Sequence, residues 1–246
     1  MTQQGTLLAI RVKAVVPSPF QSADMHHLAI GADGQDYALK SPLANYPEHA
    51  AAEALSYKFA AACGLAVPMA ARLILPDGSE AFGSRFEGGI SQFSQLTLPD
   101  RLDVVRSCAA WISALCTLDA FLANNDRHFD NGLFRRSIVD NRWTFIAMDF
   151  SRALWWGGDY PYSTCAGIYG LGNTANTITF LRAYNCWDKA TAGTTAASLS
   201  SINPATISGW VSELPVSWRT QRVDSLETWW QSEERTNRIA ELLSLI

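Results

Sequence analysis

Basic runs are absent from this 246-residue chain, whose formal net charge is −4 with 19 basic residues against 23 acidic ones. A protein that grips nucleic acid needs a concentrated positive face, so nucleic acid is not expected as its main partner. Long hydrophobic runs are absent too. No apolar stretch approaches the roughly 18 residues that a membrane helix requires, and no basic segment leads into an apolar one at the N-terminus. A soluble, cytoplasmic protein without a membrane partner is the expectation. The five cysteines, Cys63, Cys108, Cys116, Cys165 and Cys186, form no CxxC pair and no ligand-like spacing with the four histidines. Buried free thiols are therefore expected, not zinc or disulfides. Repeats, low-complexity tracts and a clear interdomain linker are missing as well. What remains is 48% hydrophobic and 17% charged, a globular composition long enough for one large domain or two small lobes around a cleft.

The first third reads as short strands around one helix. Residues 6 to 16 are rich in β-branched and aliphatic side chains, and His27–Ile30 and Asp36–Lys40 flank Gly31-Ala32-Asp33-Gly34, a hairpin composition. Pro47 to Cys63 carries apolar residues at Ala51, Leu55, Phe59 and Ala62, a helical spacing closed by Gly64. Ala71–Leu75 and Glu80–Phe86 form another strand pair across Pro76-Asp77-Gly78-Ser79. Arg85 to Gly88 would then be the exit from this sheet, either a linker that offers backbone groups to an adenine or an ordinary turn.

Lysine is scarce, four residues against fifteen arginines, so Lys40 at the end of a strand stands out. In ATP-dependent phosphotransferases a strand lysine holds the phosphates and a glutamate on the following helix aims it. Glu53 lies one turn into the predicted helix; Glu48, at its N-terminus, is accounted for by the helix dipole.

After residue 100 the pattern turns helical. Val104, Cys108, Trp111, Ile112, Leu115, Leu118 and Leu122 predict one long buried helix running into Asn124-Asn125-Asp126-Arg127-His128-Phe129-Asp130-Asn131. Leu133-Phe134 and Trp143–Met148 predict a strand pair ending in Asp149. The trio Asp126, Asn131 and Asp149 matches what phosphoryl transfer needs: a carboxylate on the acceptor hydroxyl, then an amide oxygen and a second carboxylate as hard ligands for Mg2+. His128 has two open readings, near the chemistry or packed to steady the loop, and Asp130 is expected to be solvated. Tyr160 to Ile178 has no clear assignment. A capped helix start is expected at Asn203-Pro204 with a stop at Pro215, then a last helical region from about Ser225 to Leu245 whose Trp229 and Trp230 belong to the core.

Together Tyr37-Ala38-Leu39-Lys40, Glu53 before Gly64–Pro68, Arg85-Phe86-Glu87, the Asp126–Asn131 loop, Asp149-Phe150 and the late Leu214–Trp218 resemble the compact HipA-like bacterial kinases. The Asp126-Arg127-His128-x-x-Asn131 spelling is also similar to phosphoinositide-type lipid kinases. The resemblance implies an α+β, two-lobed, protein-kinase-like fold. Residues 1–87 would form a small antiparallel sheet lobe with one helix, and 88–246 a larger, mainly helical catalytic lobe. It implies ATP and Mg2+ as cofactors and a protein Ser/Thr hydroxyl as acceptor, with an antitoxin or other partner protein in a regulatory pair. A small-molecule or lipid kinase, or a non-catalytic pseudokinase, is the alternative. By residue, Lys40 and Glu53 would hold the phosphates, Arg85, Phe86 and Glu87 the adenine, and Asn131 and Asp149 the metal, with Asp126 or His128 as base. One departure stands against full activity. Pro17 to Met25, where phosphates should be covered, contains no glycine, leaving Ser18, Gln21 and Ser22 to serve.

Overall fold

Small and branched side chains along the N-terminal third give strands that can curl tightly. In the computed structural model, which describes residues 7–18 and 27–246, five of them close into a barrel. They are β1 (Leu8–Pro17), β2 (His27–Gly31), β3 (Asp36–Lys40), β4 (Ala70–Ile74) and β5 (Glu80–Arg85), in the order β1-β2-β3-β5-β4. An all-antiparallel sheet was the expectation. Four pairings are antiparallel, but the closing pair, β1 with β4, is parallel, with Leu8 opposite Ala71 and Arg11 opposite Ile74. The interior explains how so few strands can close: Val12, Ala29, Tyr37, Ala71, Leu73 and Ala81 fill it, half of them alanine. A register shift between Val12 and Ala14 adds local bend and twist to β1. The phosphate-covering segment anticipated from Ser18, Gln21 and Ser22 lies, from residue 19 to 26, outside the described residues.

Helix α1 (His49–Ala62) is inserted between β3 and β4, close to its expected span. Gly64 ends it with φ +76, the left-handed conformation glycine reaches without a Cβ penalty, while Leu65 N–H returns to the Ala60 carbonyl.

The remainder is mostly helical: α2 (Leu98–Ser107), α3 (Ala109–Phe121), the hairpin β6 (Gly132–Arg136) and β7 (Trp143–Ala147), then α4 (Gly172–Ala183), α5 (Lys189–Ser201), α6 (Pro204–Ser212), α7 (Gln221–Trp230) and α8 (Glu233–Leu245). The single long helix anticipated before the Asn124 loop is two helices bent by 72°. Ser107 Oγ donates to the Asp103 carbonyl at 2.5 Å, a back-bond of the kind that bends helices. Both halves still bury their apolar faces, so the period runs through the break; Trp111, placed in the core by that period, is 41% exposed. The last helical region likewise divides, at Ser232, whose extended backbone starts α8. Helix α4 occupies part of the stretch left unassigned. Asn203 caps α6 as anticipated, accepting from Thr206 N–H.

Phe59 of α1 packs on Trp210 and Trp230 with ring centres 5.0 and 5.4 Å apart, and Phe121 of α3 lies 5.8 Å from Trp230. Trp229 and Trp230 are core, as their spacing implied, while Trp210 is half-buried against that core, and the cluster welds α1 to the helical part. The described cysteines are free. Among the described residues no single helix is long and apolar enough to cross a membrane.

Gly83 offers a direct test of barrel packing. A Cβ there would lie 2.7 Å from the Leu73 side chain, whereas one at Gly88 would meet nothing within 4 Å. Gly83→Ala should lower stability by about 1–3 kcal/mol through overpacking, and Gly88→Ala should stay near wild type. Urea unfolding of the two variants checks the contrast.

Candidate active site

Three acidic and basic side chains from distant parts of the chain meet where the barrel faces the helices. Lys40 ends β3, with its ammonium 2.9 Å from Asp149 Oδ1 and 3.3 Å from Glu53 Oε1. Glu53 reaches the site because α1 packs across it, and its other oxygen accepts the Phe150 N–H at 3.2 Å. Glu48 is engaged elsewhere, accepting from Thr220 Oγ1 at 2.8 Å. Burial disfavours the Asp149 carboxylate, but Lys40, then Ser151 and Arg127, outweigh it and hold its pKa well below the ordinary range. For Glu53, burial wins over the pull of Lys40, and its pKa is pushed up to about 7. The lysine therefore belongs first to Asp149.

The Asn124 loop hangs from a buried ion pair. Asp119, the lone acid in the apolar α3, receives Arg127 Nε at 2.6 Å and Nη2 at 3.1 Å, and Asn124 Nδ2 at 2.7 Å. The rest of the Arg127 guanidinium donates to the carbonyls of Asn131 at 2.5 Å, Met148 at 2.6 Å and Asp149 at 3.1 Å. Its face lies 5.0 Å from the centre of the Phe150 ring. Burial works against the arginine's charge, but Asp119 more than offsets it and holds the pKa above its usual value.

Within this frame Asn131 Nδ2 donates to the Asp126 carbonyl at 3.0 Å. That bond uses the amide nitrogen and leaves Oδ1 for a cation. The bonds that Lys40 and Ser151 make to Asp149 land on Oδ1, leaving Oδ2. Mg2+ takes few protein oxygens and keeps much of its water, so this pair of hard donors fits it. Among the described residues no cluster of three or more His, Cys, Asp or Glu side chains forms an all-protein cage. Asp126 is half-buried, with Asn173 Nδ2 at 2.8 Å from Oδ1 and Arg152 Nε at 3.2 Å from Oδ2. His128 is exposed, which removes the packed, loop-steadying reading. Asp130 is not simply solvated, because its Oδ1 accepts the Ser94 N–H at 2.7 Å.

Beside this cluster lies a cavity of about 270 Å3 lined by Ala38, Pro68, Phe86, Ile90, Leu133 and Met148, with Arg85 and Glu87 also on its wall. The anticipated adenine-binding residues are thus on one cavity. Phe86 N–H, however, donates to Asp36 O at 2.8 Å and extends the sheet. Glu87 lies 3.3 Å from Arg85 and 3.1 Å from Arg135.

Sequence reasoning missed Asp119, Arg152 and Asn173. The signal for Asp119 was present, a single carboxylate in an otherwise apolar helix, which burial can sustain only with a partner. Nothing in local pattern marks Arg152 or Asn173, whose roles come from long-range packing.

No protein-family model matches the chain, and no curated protein matches it in sequence. Solved structures do. The Helicobacter pylori proinflammatory kinase CtkA superposes with a TM-score of 0.60 over 97% of this chain and 98% of that one, at 14% identity. The fold is kinase-like. The Shewanella oneidensis MR-1 toxin–antitoxin complex of HipA, HipB and operator DNA contains a chain matched with a TM-score of 0.50 at 11% identity. That match covers 91% of this chain and 61% of the other. The resemblance to HipA-like kinases therefore holds at the level of fold, with a sheet part and a helical part in the same kinase-like arrangement.

Two measurements probe the site's energetics. Asp119→Ala should destabilise the protein by about 3–5 kcal/mol, because it leaves the Arg127 charge buried without its partner; chemical denaturation reads this. Glu53 binds a proton more tightly folded than unfolded, so its contribution is full below pH 4.5 and is lost as pH rises through about 7. The fall in melting temperature across that window should be smaller in Glu53→Gln than in wild type.

Proposed function

We propose that the protein is an ATP- and Mg2+-dependent phosphotransferase, a protein Ser/Thr kinase of the HipA-like type. The observation that carries this reading is Lys40 bonded at once to Asp149 and Glu53, which come from three separated stretches of chain, beside an apolar cavity. A structural ion pair needs one acid; a lysine that must be aimed at phosphates needs a second to hold it when the first turns to a metal. The kinase-like fold supports the same reading. The two parts, residues 1–87 and 88–246, would act as nucleotide-binding and catalytic lobes of one domain.

In this reading the cavity takes the adenine, and Lys40, steadied by Glu53, presents its ammonium to the phosphates. Asn131 Oδ1 and the Asp149 carboxylate would hold Mg2+, which when bound neutralises charge on the transferred group. Asp126 orients the acceptor hydroxyl and takes its proton. A partner protein acting as antitoxin is proposed from the fold shared with a toxin–antitoxin component.

Phosphoproteomics after expression of wild type and Asp149→Asn tests the activity and names the acceptor. New Ser/Thr phosphosites should appear with wild type alone. Asp149→Asn should lose on the order of 100-fold or more in Mg2+-dependent turnover, since it removes transition-state charge stabilisation. Its melting temperature should also fall, because Lys40 loses its first charged partner, so turnover is compared at a temperature where both proteins are folded. Asp126→Asn should keep Mg2+-ATP binding and lose transfer. Wild-type turnover in Asp149→Asn at saturating Mg2+ sinks the metal assignment, and labelling of small molecules only would move the acceptor to that class.

Purified Lys40→Met, Glu53→Gln and the double variant test the proposed phosphate clamp. Their losses in Mg2+-ATP turnover should be less than additive, because the glutamate acts through the lysine.

A further inference from the structure

Asp126 is gripped on both oxygens by residues that have no place in the trio described above. Asn173 donates to Oδ1 and Arg152 sits on Oδ2. A carboxylate offers about four lone-pair directions, so a hydrogen bond on Oδ1 and an ion pair on Oδ2 restrain the group's rotation and still leave directions open for an acceptor hydroxyl. Each of the two anchors is itself anchored.

Arg152 follows Asp149 by three residues. Its carbonyl accepts the Tyr162 hydroxyl at 2.9 Å, and the next carbonyl, of Ala153, accepts the Tyr46 hydroxyl at 2.8 Å. Leu154 N–H ties the segment to Leu122 O at 2.7 Å. The guanidinium lies 5.2 Å from the Trp156 ring centre, and Trp156 is held edge-on by Tyr46 at 5.4 Å. A planar cation stacked on an aromatic face keeps its direction in a way an ammonium does not.

Asn173 is equally fixed. Its N–H donates to the Asn125 carbonyl at 2.8 Å, so backbone and side chain of one residue grip the same loop. The approach is close because residue 172 is glycine: φ is +50, and a Cβ would stand 2.5 Å from the Asn125 carbonyl oxygen. Thr174 and Thr177 add bonds to Asn124 O and Arg127 O.

We propose that Arg152, braced on Trp156, and Asn173 are the positioning residues of Asp126, a clamp that aims the base at the acceptor hydroxyl. The proposal rests on Asp126 being that base. Its sign separates it from a latch: removing a latch would speed transfer, whereas removing an aiming device slows it.

The test uses the full chain with Mg2+-ATP and the acceptor identified by phosphoproteomics. Arg152→Met and Asn173→Ala should each lower kcat by about 10- to 100-fold, the scale of a misplaced catalytic group, with KM for ATP unchanged. Arg152→Lys should recover only part of the loss, and added guanidinium should partly rescue Arg152→Ala. In an Asp126→Asn background, Arg152→Met should have little further effect. An unchanged or raised kcat in Arg152→Met, or an equal loss without Asp126, overturns the clamp. If wild type transfers no phosphate at all, the kinase reading fails, and the clamp is judged by hydrogen exchange. Amides from 125 to 131 should exchange faster in Arg152→Met than in wild type, and equal rates there reject it.

Discussion

One buried guanidinium determines how the elements of the proposed site stand relative to each other. Arg127 is locked by Asp119 below and reaches the carbonyls of Asn131, Met148 and Asp149 above. These carbonyls belong to two segments that share no strand with α3. Lysine could hold one or two of them as a point charge, but only a planar fork can satisfy a carboxylate and three carbonyls in fixed directions. The separation of the two proposed metal ligands is therefore a property of the buried pair, set from inside the protein and shielded from solvent.

Lys40 supplies the complementary constraint from the other side. It ends a strand whose register is imposed by β5, with Lys40 opposite Phe82, while Glu53 comes from a helix anchored by Phe59 in the tryptophan cluster. The barrel and the helical part are thus coupled through α1. A change in the packing of Phe59 would move a glutamate near the apolar cavity without touching the cavity itself.

Much of this was legible in the sequence where local chemistry and tertiary role coincide. The hairpin at Gly31–Gly34, the helix ending at Gly64, the cap at Asn203 and the core placement of Trp229 and Trp230 all follow from turn residues or period. The juxtaposition of Lys40, Glu53 and Asp149 was legible only through their resemblance to a known arrangement. What stayed hidden depends on geometry that period does not encode. A helix bent by 72° at Cys108 keeps an unbroken apolar rhythm, because both halves face one core. Helix α5, rich in Ala, Ser and Thr, has too little contrast between faces to declare itself. The parallel closure of β1 on β4 has no local signature at all, since it joins residues more than sixty positions apart.

That closure has a consequence for how other macromolecules can engage the N-terminal part. An open five-stranded sheet ends in two rows of unsatisfied N–H and C=O groups, which an extended peptide can extend as an added strand. In the barrel formed by β1 to β5 those rows are turned on each other, Leu8–Arg11 against Ala71–Ile74. Strand addition along that stretch would have to break the seam first. Recognition there is left to side chains on the outer wall, such as the exposed Leu8, and so depends on sequence rather than on backbone alone.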